Sequence, residues 1–116
     1  MSDLQARLRA DLLTARKARD TTATAVLRST LAAIANAEAL PVAEAALSTD
    51  GPIAGASTGV GATEAARREL TDDDVRRIIT EEQAERIGAA TDLEAHGADG
   101  KASELRAEAE LLAAYV

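Results

Sequence analysis

Apolar positions recur with a helical period in four stretches of this 116-residue chain. Leu4, Leu8, Leu12 and Ala15 fall on one stripe at about 100° per residue, which predicts an amphipathic helix over 2–19. Ser2, with Gln5 three residues later, forms a capping-box pattern at its start. Asp20 and Thr21 offer N-caps for a second helix over 21–39. Its face is Val26, Leu27, Leu31 and Ile34, with Ala23, Thr30 and Ala37 filling in, and Pro41 ends it. Thr71-Asp72-Asp73-Asp74 sets three carboxylates against the dipole of a third helix over 72–95. Val75, Ile78, Ile79, Ala90 and Leu93 share its face. His96-Gly97-Ala98-Asp99-Gly100 reads as a C-cap and turn, and a last helix covers 101–115. There Ala102, Leu105, Ala109, Leu112 and Val116 align, with Tyr115 at the edge. Short turns between paired helices imply antiparallel neighbours. The expectation is an all-α fold, a small antiparallel bundle of about four helices built from two helical hairpins.

Between the second and third helices the pattern is lost. Residues 41–63 hold four of the seven glycines and both prolines and carry no helical period, which predicts a long flexible Gly/Ala-rich linker. Gly55, Gly59 and Gly61 invite a phosphate-loop reading. No Gly-Lys-Ser/Thr follows them, no strand precedes them, and no lysine occurs between 18 and 100. The linker reading is preferred.

Composition narrows the class further. Leu, Ile, Val and Phe make up 23 residues while Ala alone supplies 29, and Tyr115 is the one aromatic. With no cysteine as well, a thick aromatic core, a β-sandwich, a disulfide scaffold and a thiol-ligated metal site are excluded. No apolar run approaches the ~20 residues of a membrane span, and the N-terminus lacks a signal-peptide core. A cytoplasmic protein with no membrane partner is expected. The net charge of −7 is unevenly spread: residues 1–40 carry six basic and four acidic groups, residues 41–116 seven and sixteen. Nucleic-acid affinity arises mainly from phosphate neutralisation, so the first two helices are the electrostatically sensible surface for RNA.

The catalytic inventory is poor. There is no Cys, and His96 lies in a Gly-flanked turn without neighbouring ligands, as a solvated C-cap residue would. Asp72/Asp73/Asp74 and Glu81/Glu82 suit helix starts and solvated faces better than acid/base work. No catalytic residue, metal ligand or cofactor site is expected. Three charges do fall inside apolar stripes: Asp11 between Leu8 and Leu12, and Glu82 and Arg86 on the third helix. Glu82 and Arg86 are spaced i, i+4, acid first. They suit a structural ion pair at a bundle seam, the Arg stem packed and its head reaching solvent. A polar contact that fixes helix register or a partner's position is the alternative.

The ordered pieces together resemble the GatB/YqeY family. The matching stretches begin with Leu8-Arg9-Ala10-Asp11-Leu12, Lys17-Ala18-Arg19-Asp20, Val26-Leu27-Arg28-Ser29-Thr30-Leu31-Ala32-Ala33-Ile34 and Asn36-Ala37-Glu38. They continue with Leu70-Thr71-Asp72 and Val75, Glu85-Arg86, Leu93-Glu94-Ala95-His96-Gly97, and Glu110-Leu111-Leu112-Ala113-Ala114-Tyr115-Val116. Nearly the whole chain outside the linker is covered, so 1–116 is read as a single GatB/YqeY-like helical domain. The second small helical domain of fuller family members is expected to be missing. The YqeY-like members are similar to the tail of the B subunit of the glutamine-dependent tRNA amidotransferase, which contacts tRNA while chemistry occurs elsewhere. The resemblance implies association with a carbon–nitrogen ligase that uses glutamine as amido donor, without implying that this chain catalyses the reaction. It carries over Arg28, Asn36, Glu38 and Arg86.

The resulting expectation is a non-catalytic module that binds tRNA or an aminoacyl-tRNA amidation complex. Its candidate binding residues are Arg7, Arg9, Arg16, Lys17, Arg28, Asn36 and Glu38. The rival expectation is a protein-interaction or self-associating bundle whose Ala-rich faces seek a helical partner.

Overall fold

The computed structural model describes residues 1–39 and 68–116. The expected linker over 41–63, with the glycines that invited a phosphate-loop reading, lies outside the described residues. Within them the chain is all-helical, without a strand: α1 (Asp3–Lys17), α2 (Thr21–Ala39), α3 (Asp72–Ala95), α4 (Asp99–Leu112) and a closing 3-10 turn, Ala113–Tyr115. Packing is most extensive between α3 and α4 and next between α1 and α2.

Both short connections are the same structure. After α1, the Asp20 N–H donates to Ala15 O at 2.9 Å and the Arg19 N–H to Arg16 O at 3.1 Å. After α3, the Ala98 N–H donates to Leu93 O at 2.8 Å and the Gly97 N–H to Glu94 O at 3.1 Å. Each is a Schellman motif, which satisfies the last carbonyls through a residue in the left-handed region. That residue is Gly97 (φ 79°) in one turn and Arg19 (φ 59°) in the other. The motif ends α1 at Lys17, two residues before the expected boundary. Asp20 then serves a second time, its Oδ1 accepting the Ala23 N–H at 3.0 Å to cap α2. Gly100 does not break the fourth helix, which starts at Asp99.

The helix starts differ from their sequence patterns in instructive ways. Thr71 and Asp74 form a complete capping box, each side chain accepting the other's N–H. At α1, Ser2 Oγ accepts the Gln5 N–H at 3.1 Å, but Gln5 does not complete the box. Its side chain is buried and, among the described residues, its Oε1 has no hydrogen-bond partner. The Leu4 N–H is met instead by Asp72 Oδ1 at 3.0 Å, so the first turn of α3 caps α1.

The core draws on every helix. Leu4, Leu8, Ala15, Ala23, Val26, Leu27, Ile34, Leu70, Val75, Ile79, Leu112 and Tyr115 form one buried cluster. Ala90, Ala102 and Ala109 are buried outside it, small side chains at which helices approach closely. The end of the fourth stripe is reversed from expectation: Tyr115 is buried and Val116 is half exposed. The cause is the 3-10 turn after Leu112, in which residues i and i+3 eclipse, so Tyr115 takes the inward direction of Leu112.

Candidate functional site

The basic residues of α1 divide between its two flanks. Arg7 turns toward the C-terminal turn, its guanidinium 4.7 Å from the centroid of the Tyr115 ring and Nε 3.9 Å from Asp11 Oδ2. Arg9 and Arg16, seven positions apart, share the opposite flank within about 20° of helical phase. Lys17 points away from the buried stripe. Arg9, Arg16 and Lys17 are exposed, as are Arg19 in the α1–α2 turn and Arg28 on the outer face of α2. Among the described residues, none of these five makes an ion pair or a side-chain hydrogen bond.

Asn36 and Glu38 sit at the far end of α2, about 12 Å or more along the axis from Arg28. Asn36 is exposed and Glu38 half-buried, and the Glu38 carbonyl accepts the Arg68 N–H at 2.8 Å. The structure does not draw them together with the α1 cations.

A second polar cluster joins three helices. Arg86 Nη1 lies 3.1 Å from Glu82 Oε1 and donates to Glu82 O at 3.0 Å. Nε reaches Glu108 Oε1 on α4 at 3.1 Å, and Nη2 reaches Ser29 Oγ on α2 at 3.4 Å. Gln83 Nε2 adds a hydrogen bond to Ala109 O at 3.0 Å. The Arg86 side chain is only 12% exposed, so its head is held inside the cluster instead of reaching solvent as expected. One guanidinium faces Glu82 and Glu108, with Glu85 beside the same open groove. The local charge is negative and unsuited to phosphate. The sequence signalled the Glu82–Arg86 spacing; Ser29 and Glu108 carry no local signal because they arrive from other helices.

The Tyr115 hydroxyl donates to Asp11 Oδ2 at 2.5 Å, which gives the polar residue in the α1 stripe its partner. Burial and this bond to a carboxylate push the Tyr115 pKa up to about 12. The phenol therefore stays protonated and serves as a donor rather than a base. Hydrogen bonding to Arg106 holds the exposed Glu94 carboxyl below its ordinary range. His96 is exposed at the C-cap of α3, with Nδ1 2.9 Å from Asp92 O. Among the described residues, no group of three His, Asp or Glu side chains is disposed to hold a metal ion, and no helix is long and apolar enough to cross a membrane.

No protein-family model matches the chain, and no curated protein or solved structure matches it significantly.

Proposed function

We propose that the chain is a non-catalytic helical module of the cytoplasm that binds RNA through the outward side chains of α1 and α2. The carrying observation is a contrast in how cations are used. Arg9, Arg16, Lys17, Arg19 and Arg28 are exposed and unpaired among the described residues. Arg76, Arg77, Arg86 and Arg106 each hold a carboxylate in the second half of the chain. Unpaired surface cations release counterions on meeting phosphates at no cost in broken ion pairs. Arg7, engaged with Tyr115 and Asp11, is left out of this set. The resemblance to the GatB/YqeY family selects tRNA, alone or in an aminoacyl-tRNA amidation complex, as the RNA to test. Leu13, 52% exposed on the outward side of α1, favours a second reading in which a helical protein or another copy docks there.

The proposal includes the pairing of α1 with α2 and of α3 with α4 as antiparallel hairpins. For α3 and α4 it is supported by contacts that run in opposite directions along the two helices: Glu94 with Arg106, Arg86 with Glu108, and Gln83 with Ala109. A disulfide that forms readily between cysteines placed at 94 and 106, and not between cysteines at 83 and 99, supports that order.

The decisive measurement is an electrophoretic shift of unfractionated tRNA by the purified full chain across a salt series. Affinity should fall steeply with salt and be lost when Arg9, Arg16, Lys17 and Arg28 are all replaced by Glu. Absence of a shift at low salt rejects the RNA reading. A salt-insensitive dimer in light scattering, unchanged by those substitutions, supports the second reading.

A further inference from the structure

Arg19 alone among the described non-glycine residues adopts a positive φ. In the otherwise matching turn after α3 the same position is Gly97. Glycine enters the left-handed region without strain, whereas an L side chain there meets its own backbone.

The turn needs the left-handed backbone at this position, but nothing local needs the arginine side chain. The Arg19 N–H makes one bond of the motif, to Arg16 O, which a glycine would make equally, while the Asp20 N–H makes the other and the Asp20 side chain caps α2. The negative end of the α1 dipole already faces Arg16 and Lys17 in the last turn, and that interaction fades beyond it. The Arg19 side chain is exposed and makes no hydrogen bond or ion pair among the described residues. A side chain kept at a strained position with no local partner points to a contact made with something else.

We propose that the α1–α2 corner is a contact site for a sugar-phosphate backbone, and that Arg19 occupies its strained position to supply one of those contacts. The inference rests on the RNA reading above and adds the residue and the place. A single small anion would require donors that converge. Here Arg9, Arg16, Lys17 and Arg19 spread over roughly 15 Å of open helix surface, a layout that suits successive phosphates.

The test compares the full chain with Arg19→Gly and Arg19→Lys, by thermal unfolding and by fluorescence anisotropy with labelled tRNA at several salt concentrations. Arg19→Gly should raise Tm and weaken binding about 3- to 10-fold, with the salt slope falling by roughly one. Arg19→Lys, which restores the charge and the strain, should return both readouts to the parent values. If the parent chain binds tRNA and Arg19→Gly binds equally well with an unchanged slope, the corner proposal is overturned while the RNA reading stands. If the parent chain binds no tRNA, the RNA reading fails and this proposal falls with it.

Discussion

The hydroxyl of Tyr115 hydrogen-bonds the carboxylate of Asp11 across 104 positions of the chain. This contact helps fasten the C-terminal turn to α1, and the Arg7 guanidinium lies 4.7 Å from the ring centroid. It also resolves two oddities of the sequence together: an acid within an apolar stripe, and an aromatic residue placed beyond the regular phase of the last helix.

That bond sets an alkaline limit. The folded state holds the Tyr115 pKa at about 12, above its ordinary 10, so folding favours the protonated phenol. Its contribution is fully present below pH 10 and is lost as pH rises through about 12. Tyr115 is the one Tyr and there is no Trp, so phenolate absorbance reports this group alone. The absorbance midpoint should lie near 12, and Tyr115→Phe should cost about 1 kcal/mol at neutral pH while removing this contribution to the alkaline loss of stability. A midpoint near 10 in the folded protein would sink the argument.

Arg86 ties α2, α3 and α4 together, and its removal strands two half-buried carboxylates, Glu82 and Glu108. Arg86→Ala should lower stability by about 2 kcal/mol, less than for a fully buried pair because Glu108 retains some solvent. Adding Glu82→Gln and Glu108→Gln to that variant should recover part of the loss. Urea unfolding of the three variants checks this; a triple variant no more stable than Arg86→Ala would show that the stranded charge is not the cause.

The helices were legible because their period, caps and breakers are local: Ser2, Asp20 and Thr71 each cap a helix near where the sequence placed its start. The polar contacts between helices were not, since they depend on which helices meet. Asp11 and Arg86 stood out as charges in apolar stripes, yet Tyr115, Ser29 and Glu108 reach them only through packing. The same limit applies to Gln5, whose capping pattern is real in sequence while its side chain is taken by the core. Arg19 was invisible for a different reason. The turn needs a left-handed residue, and sequence reading looks for that role in glycine.

Glycine substitutions separate space from backbone conformation. A Cβ added at Gly88 or at Gly97 would meet nothing within 4 Å, yet only Gly97 has a positive φ. Gly88→Ala, in the interior of α3, should therefore stabilise by about 0.5 to 1 kcal/mol through helix propensity. Gly97→Ala should destabilise by about 1 kcal/mol or more, because the Schellman turn cannot relax without giving up its two hydrogen bonds. Urea midpoints that move in the same direction for both would contradict this account.

Acid should loosen the contact between the starts of α1 and α3. Asp72 is held below its ordinary pKa of 3.8, first by the Leu4 N–H and then by Ser2, so the folded state favours its carboxylate. The stability it contributes is present above pH 3.8 and is lost as pH falls through the lower folded value. Asp72→Ala leaves the Leu4 N–H without its partner and should lower Tm near neutral pH by about 4 to 8 °C, the size of a lost helix cap. It should also flatten the fall of Tm below about pH 4, though not abolish it, because Asp74 and Glu94 are likewise held in their charged forms. Asp72→Asn keeps an acceptor for Leu4 and should lie between the two at neutral pH while showing the flattened acid limb. Thermal melts of the three proteins between about pH 2 and 7 decide the matter, and a parent-like acid limb in both variants would remove Asp72 as its cause.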